Sequence, residues 1–205
     1  MPSTVQTPGN QKSTPKANPN LHFVKTFNGK LEVAPDNVCI ATCTAHLVDR
    51  GDNPSRFRNR MMAASDETGE LAEEIFTPNG RLLPEHRGPQ PTLNGVMDWS
   101  EAFDIDNVLT FTHIKIAKAY RRKGLGRDLV EGILHEATSG GKRLSAFVAP
   151  GALESEYKHL EGEERERVIK EQVDICVQFW YSLGFRRVKR TNWLALKVQP
   201  DARAA

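Results

Sequence analysis

The stretch of residues 108–137 constrains the fold more than any other part of the chain. An apolar, β-rich run ends near Ala117, a short basic loop follows, and apolar residues at helical spacing begin at Leu125. The loop contains Gly124 and Gly126, whose missing side chains let the backbone approach a ligand closely. A helix N-terminus offers unpaired N–H groups and the positive end of the helix dipole. This order of strand, loop and helix therefore predicts an anion-binding turn.

The loop is also strongly cationic. Full positive charges lie around the glycines, at Arg121, Arg122, Lys123 and Arg127. We expect the backbone N–H groups of residues 122–127 to point at a bound phosphate, and Arg121 or Arg127 to pair with its oxygens. An isolated basic glycine turn is more often a solvated surface loop, but the strand before it and the helix after it favour binding.

This region resembles the acyl-CoA loop of the GCN5-related N-acetyltransferases (GNAT). The family's strand end and loop motif have counterparts at Ile114, Ile116, Tyr120, Arg121, Gly124, Leu125 and Gly126. Residues 179–185 resemble the second signature of the family, a helix that ends in Leu-Gly-Phe. The detailed match covers residues 108–150 and 165–198, and the first half of the chain matches only in outline.

The resemblance implies an α/β fold with a mixed, mostly antiparallel central sheet and helices on both faces. It implies that the sheet splays between its fourth and fifth strands, which here end near Ala117 and Ala149. The implied reaction moves an acetyl group from acetyl-CoA directly to a primary amine in a ternary complex. The amine belongs to a small molecule or a peptide, and the sequence does not specify which.

The same resemblance assigns residues to the acetyl-CoA site. They are Ile116, Ala117, Lys118, Arg121, Arg122, Lys123, Gly124, Leu125, Gly126, Arg127 and Trp180. A backbone N–H near residues 116–118 would donate to the thioester oxygen, and Trp180 would pack on the pantetheine arm.

The attacking amine needs a group that removes its proton, since an alkyl amine titrates near pH 10. Side chains of a strand alternate between its faces. If Ile114 and Ile116 face the cofactor, Thr110 and Thr112 share that face and His113 points away. Thr112 or Thr110 is thus a candidate to hold a relay water, although threonine is more often simply a good strand former, and His113 is a poor candidate for the base.

Acidic and aromatic residues supply the remaining catalytic candidates. Asp98 and Glu101 are the first choices for the acceptor side, because the strand predicted at residues 97–105 borders the motif strand. A solvated surface is the plainer interpretation of each carboxylate. The family often has a tyrosine acid where this chain has Trp180, and Tyr181 is rotated from that position by about 100°. A thiol titrates near 8.5, so it can also leave as the thiolate without a strong acid.

Secondary structure was predicted from hydrophobic periodicity and turn residues. Strands are expected at residues 21–27, 38–48, 97–105, 108–117, 144–148, 185–189 and 193–198. Helices are expected from Ser65 to Phe76, with an earlier start near Phe57 left open, and at residues 125–137 and 163–183. Asn28-Gly29 predicts a turn, and residues 84–95 predict a long loop.

Length and composition predict a single domain at residues 21–199, a disordered polar tail at 1–20 and a short tail at 200–205. Cys39, Cys43 and Cys176 are odd in number and lack zinc spacing, so we expect reduced thiols and no metal. No apolar run approaches the roughly 20 residues of a membrane span. We expect a cytoplasmic protein without a membrane partner, with a nuclear location and a homodimer left open.

Two other functions remain open at this point. A CoA-binding module without turnover is favoured by the displaced tyrosine and by the lack of an acid on the motif strand. Nucleic-acid binding through residues 121–127 and 186–190 is a third function, and the net charge of +2 argues against it.

Overall fold

The structure, a computed structural model, describes residues 22–51, 53–92, 95–139 and 141–199, and the tails predicted at 1–20 and 200–205 lie outside these ranges. The described strands are β1 (Val24–Val33), β2 (Val38–Val48), β3 (Gln90–Thr92), β4 (Gly95–Met97), β5 (Asn107–Ile116), β6 (Leu144–Val148), β7 (Arg186–Arg187) and β8 (Leu194–Val198). The described helices are α1 (Phe57–Ala64), α2 (Asp66–Ile75), α3 (Ser100–Ile105), α4 (Leu125–Thr138), α5 (Glu154–Tyr157) and α6 (Gly162–Ser182).

One six-stranded sheet organises the described chain, in the order β1-β2-β5-β6-β8-β7. The pairing of β5 with β6 is parallel, and the other pairs are antiparallel. The parallel pair is connected through α4, which lies between β5 and β6 in the chain. The predicted α/β class with a mixed, mostly antiparallel sheet is confirmed.

Each face of the sheet is covered by its own apolar core. On one face the core contains Leu129 and Ile133 of α4 and Trp180 of α6. On the other face the core contains side chains of α1, α2 and α3, among them Phe57 and Phe103. Strand β6 is buried on both faces, which explains why four of its five residues are apolar. Helices therefore lie on both sides of the sheet.

A β-bulge in β5 changes which side chains share a face. Thr44 of β2 pairs with His113, whereas the next residue, Ala45, pairs with Phe111, so Thr112 is an extra residue in β5. As a result Phe111 and Ile114 both pack into the core beneath α4 and α6.

The bulge overturns the face predicted for Thr110. Ile114 and Ile116 share their face with Leu109 and Phe111, and Val108 packs into the core of α1, α2 and α3. Because side chains alternate before the bulge, Thr110 lies on the face of Val108, away from both isoleucines. The prediction of a common face for Thr110, Ile114 and Ile116 is wrong, because an extra residue shifts the period of the strand.

The first turn of α2 begins where its sequence predicts. Ser65 caps the helix, because its hydroxyl accepts a hydrogen bond from the Thr68 N–H at 3.1 Å. Asp66 and Glu67 place carboxylates in the first turn, where the helix dipole favours them. A separate helix, α1, precedes this cap and begins at Phe57.

Asn28-Gly29 is not a turn, because β1 continues through both residues to Val33. A Cβ on Gly29 would lie 2.9 Å from the Cδ2 of Leu129, so this glycine allows α4 to pack closely on the strand. Asn28 accepts a hydrogen bond from the hydroxyl of Thr44 on β2 at 3.2 Å. Packing and cross-strand pairing therefore explain two residues that predict a turn in the sequence alone.

Residues 97–105 are not one long strand. They contain the end of β4 and then α3, whose residues Ala102 and Phe103 follow Trp99 at helical spacing and are buried with it. The rings of Trp99 and Phe103 stack with their centroids 5.0 Å apart. The strand prediction failed because this short segment has too few residues to separate the two periodicities.

Arg50 joins the chain after β2 to the layer of α1–α3. Its guanidinium donates to the carbonyl oxygens of Asp106, Gly80 and Phe103, and it lies over the ring of Phe57 at 4.5 Å. Burial lowers the pKa of Arg50 to about 10, and the nearby carboxylates of Asp104 and Asp106 oppose that change. The side chain therefore stays charged at neutral pH and satisfies carbonyl groups from three segments.

Replacement of Arg50 by methionine should lower the free energy of unfolding by about 3–5 kcal/mol, because it leaves several partly buried carbonyl groups without a donor. Urea denaturation of the full chain would measure the loss. The matched control is Arg167→Met, which removes an exposed pair with Glu171 and should cost less than about 0.5 kcal/mol. Equal losses in the two variants would contradict the structural role assigned to Arg50.

Candidate functional site

A gap opens in the sheet where β5 and β6 separate. Their pairing runs from Asn107 opposite Leu144 to Phe111 opposite Val148, and β5 then continues to Ile116. On its other edge β5 remains paired with β2 as far as Ile116. The second half of β5 therefore has one edge that faces the gap.

Backbone groups of Ile116 point into this gap. The N–H of Ala117 donates to the carbonyl oxygen of Ile40 on β2 at 2.8 Å. Since backbone groups alternate between the two edges of a strand, the N–H and C=O of Ile116 point to the opposite edge. The Nε of Arg121 reaches that carbonyl oxygen at 3.0 Å, as this arrangement requires. The backbone donor expected near residues 116–118 is thus available at Ile116 and already used at Ala117.

A cleft of about 1150 Å³ extends from the gap. Its walls are the second half of β5, the basic loop with the start of α4, the segment of residues 148–155, and one side of α6. Apolar lining comes from Ile114, Ile116 and Phe179, and cationic lining comes from the basic loop. The cleft therefore combines apolar side chains with the cations of the basic loop, and the carboxylates of Glu154 and Asp174 also line it.

The basic loop ends in a glycine that starts α4. Gly124 is the N-cap residue with φ of 83°, and no described side chain caps this helix. The N–H groups of the first turn consequently have no intrahelical acceptor and are available to an anion. A Cβ on Gly124 would meet no atom within 4 Å, so the left-handed backbone, and not crowding, explains this glycine.

Gly126 has a different role in the packing of the two helices. A Cβ at this position would lie 3.2 Å from the ring of Phe179 on α6. The absence of that atom lets the start of α4 approach α6, and the two helices together form one end of the cleft.

Arg121 is held by the protein itself. Besides its bond to Ile116, its guanidinium pairs with the carboxylate of Glu156 on α5. This hydrogen bond holds the pKa of Glu156 below its usual value, against the opposing effect of burial, and Lys118 and Lys115 add to the lowering. An anion that approaches the loop therefore competes with a carboxylate that remains ionised at neutral pH.

The other cations of the loop are more exposed. Arg122 has φ of 61° and borders the cleft, and Lys123 lies over the ring of Tyr120 at 5.0 Å. Arg127 donates to the carbonyl oxygen of Ser182 at 3.2 Å and pairs with Glu131. These bonds tie the loop and α4 to the end of α6.

Most of the predicted cofactor residues lie together in the structure. The cleft is lined by Ile116, Arg121, Arg122, Gly124, Leu125, Gly126, Arg127 and Trp180, and by Thr112 at the bulge. Among the residues that the structure describes, Ala117, Lys118 and Lys123 do not line it. Lys118 begins a single 3-10 turn that carries the chain from β5 to the loop.

The two aromatic candidates on α6 differ in position. Trp180 is 1% exposed and packs against Phe111 and Phe185, with ring centroids 5.2 and 4.9 Å away, at the floor of the cleft. Tyr181 packs against the core beneath the sheet, with Arg186 above its ring, and it does not line the cleft in the described chain. The expected rotation of Tyr181 away from the site agrees with this placement.

The prediction of Asp98 and Glu101 as acceptor-side residues depends on a strand that borders β5. That strand is wrong, since β5 lies between β2 and β6 and Glu101 belongs to α3. Helix α3 leads into the start of β5, whereas the cleft surrounds the end of β5. Within the described ranges neither carboxylate lines the cleft.

The sequence interpretation missed one wall of the cleft. Gln172, Cys176 and Phe179 recur at helical spacing along α6 and face the cleft together. The segment of residues 149–155 faces them, and the thiol of Cys176 donates to the carbonyl oxygen of Gly151 at 3.3 Å. The helical period was visible in the sequence, but its half-exposed residues resemble an ordinary packing face.

No family model matches this chain, and no curated protein matches it significantly. The described residues contain no group of three or more His, Cys, Asp or Glu side chains that could hold a metal ion. No helix in the described part of the chain has the length and apolar character needed to cross a membrane.

Replacement of Glu156 by glutamine should strengthen the binding of inorganic pyrophosphate by about twofold to fivefold, the size of a partly solvated salt bridge. The change removes a competing carboxylate and leaves the guanidinium of Arg121 available. Calorimetric titration at fixed ionic strength would measure the affinity.

Glu164→Gln is the matched control, because Glu164 is an exposed carboxylate in the first turn of α6 that does not line the cleft in the described chain. It should change the affinity less than Glu156→Gln does. Weaker pyrophosphate binding by Glu156→Gln would instead mean that the salt bridge supports the shape of the site.

Proposed function

We propose that the protein is an acetyl-CoA-dependent N-acyltransferase that moves an acetyl group to a primary amine in a ternary complex. The main observation behind the proposal is that three features lie together in one cleft. They are the gap between β5 and β6, the backbone donor of Ile116 at its edge, and the glycine-started helix α4 at its mouth. The motif resemblance of the sequence points to the same chemistry.

The residues of the cleft fit the parts of an acyl-CoA ester. The first turn of α4 and the cations Arg122 and Arg127 suit a pyrophosphate group. The apolar side chains of Ile114 and Phe179 suit a less polar arm. The volume of about 1150 Å³ lies just above the usual range of small-molecule sites.

The transfer itself requires an oxyanion donor and a leaving group. The N–H of Ile116 is fixed by strand geometry, and such a preorganised donor contributes a few kcal/mol to an acyl-transfer transition state. The sulfur leaves as a thiolate, since a thiol titrates near 8.5 and needs no strong acid. This route assigns no catalytic role to Tyr181, which packs away from the cleft.

A second candidate function is a CoA-binding module without turnover. The placement of Tyr181 in the core favours it, as does the presence of threonines, and not of an acid, at positions 110 and 112 of β5. This candidate predicts saturable binding of acetyl-CoA without acetylation of any amine.

Calorimetric titration with acetyl-CoA, with free CoA and ATP as controls, tests the proposal first. Micromolar binding of the ester, well above that of ATP, supports a CoA site and is followed by an assay of thiol release with amine acceptors. The absence of binding would refute both the enzyme and the binding module.

Gly124→Trp should weaken acetyl-CoA binding by about 100-fold or more, which corresponds to roughly 2.7 kcal/mol. The indole would fill open space at the cleft mouth, and a side chain is strained at this positive φ. Gly132→Trp is the control, because Gly132 is an exposed glycine of the same helix whose Cβ also meets nothing within 4 Å. Unchanged affinity in Gly124→Trp would remove the loop from the site.

Alkylation of the cysteines provides a second test of the cleft. At ten times its Kd, acetyl-CoA should slow labelling of Cys176 about tenfold by mass action, because this thiol lines the cleft. Cys39 is exposed outside the cleft and should label at an unchanged rate. Burial raises the pKa of Cys43 to about 12, so this thiol should stay unlabelled in the folded chain.

Peptide mass spectrometry after timed exposure to iodoacetamide would measure the three rates separately. Equal protection of Cys39 and Cys176 would indicate a general change in the protein, and no protection of Cys176 would place the ligand elsewhere.

A further inference from the structure

The segment that follows β6 borders the cleft without entering either core. Residues 149–158, which we call the strap, lead from the end of β6 through α5, and residues 149–155 line the cleft. No residue of the strap is buried, and none belongs to either apolar core. Where the strap meets α6, the guanidinium of Arg165 lies 5.4 Å from the ring of Tyr157. A segment with so little buried surface opens locally at a lower cost in free energy than the sheet does.

Two polar bonds join the strap to other elements of the described chain. The thiol of Cys176 on α6 donates to the carbonyl oxygen of Gly151 at 3.3 Å. The carboxylate of Glu156 pairs with Arg121, which belongs to the basic loop before α4. The pair of Glu156 and Arg121 is therefore the bond that joins the strap to the anion-binding side of the cleft.

Arg121 connects this pair to the gap in the sheet. Its Nε donates to the carbonyl oxygen of Ile116 at 3.0 Å, while another nitrogen of the same guanidinium binds Glu156. The carbonyl group of Ile116 points into the gap, so the bond covers the free edge of β5 at that residue. One side chain thus closes the edge of the gap and holds the strap at the same time.

The carboxylate of Glu156 depends on this partner. The side chain of Glu156 is 8% exposed, whereas that of Arg121 is 33% exposed. Lys118 and Lys115 act on the carboxylate through their charge, but less than Arg121 does. Loss of one partner from a buried ion pair leaves an uncompensated charge, which costs far more than loss of a surface pair. When Arg121 leaves, movement of α5 into water therefore stabilises Glu156.

A ligand that carries phosphate groups competes for Arg121. Gly124 starts α4 without a side-chain cap, so the N–H groups of its first turn are available to an anion close to the basic loop. A guanidinium binds phosphate oxygens strongly and often through two parallel hydrogen bonds. An anion at this turn consequently draws Arg121 away from both Ile116 and Glu156.

We propose that the strap is a lid, which the pair of Glu156 and Arg121 holds closed in the free protein and which an anion at the basic loop releases. The same step frees the carbonyl group of Ile116, so the gap and the cleft become accessible together. Such a ligand shifts the equilibrium because it binds Arg121 in the open arrangement and not in the closed one. The inference concerns the cleft itself and does not depend on acyl transfer.

Hydrogen exchange in the full chain, followed by mass spectrometry, tests the lid. The amides of Glu156, Lys158 and Leu160 donate to carbonyl groups of the strap and report its opening. Saturating inorganic pyrophosphate should speed their exchange by about tenfold, as expected for loss of one hydrogen bond between charged groups. A ligand that only covered the strap would slow the exchange instead.

Variants test the bond in the absence of ligand. Glu156→Gln and Arg121→Gln should each speed the exchange of these amides, and pyrophosphate should then add little. The double variant should exchange no faster than the faster single variant, because the two side chains act through one contact. Glu164→Gln is the control, since Glu164 is an exposed carboxylate at the start of α6, and it should behave as wild type.

Two results would overturn the proposal. One is pyrophosphate that binds, as shown by calorimetry, and leaves the exchange of the strap unchanged or slower. The other is equal exchange in Glu156→Gln and Glu164→Gln, whether or not pyrophosphate binds. Both results would leave the proposed transferase standing. A protein that opens its strap and binds acetyl-CoA but acetylates no amine would refute the transferase alone.

Discussion

The separation of β5 from β6 is the constraint on which the candidate site depends. Up to Phe111 the strand is hydrogen-bonded along both edges, and beyond that residue only the edge toward β2 is paired. A strand that is held on one edge keeps its geometry while it presents backbone groups on the other. The N–H of Ile116 is fixed in this way without any side chain, and the gap beside it opens into the cleft.

Separate apolar cores cover the two faces of the sheet on either side of the gap. The core beneath α4 and α6 holds the second half of β5 through Ile114 and Ile116 after the bulge. On the opposite face, Arg50 joins the segments around α1–α3 through carbonyl groups and aromatic rings. The bulge at Thr112 changes the alternation of side chains along β5. As a result His113 lies on the face of Thr110.

Charge at the mouth of the cleft is balanced within the protein. Arg121 is engaged by Glu156 and by the backbone of Ile116, whereas Arg122 remains exposed. Of these two cations of the loop, Arg121 is therefore bonded within the protein, and Arg122 is exposed to solvent.

The sequence alone determined the strand, loop and helix around Gly124, because local periodicity and the conformational needs of glycine fix such a unit. It also determined the boundaries of β2 and β6 and the cap at Ser65. It failed at Gly29 and at α3, where close helix packing and a short buried segment mimic other patterns.

Only the tertiary structure decided which side chains meet. Arg121 and Glu156 are 35 positions apart in the sequence, and His46 and Thr110, which lie opposite each other, are 64 apart. The bulge at Thr112 depends on the register between β2 and β5. The physical reason is that the pairing of a strand with its neighbour determines which face each side chain occupies. One extra residue reverses every later side chain, and no local pattern records it.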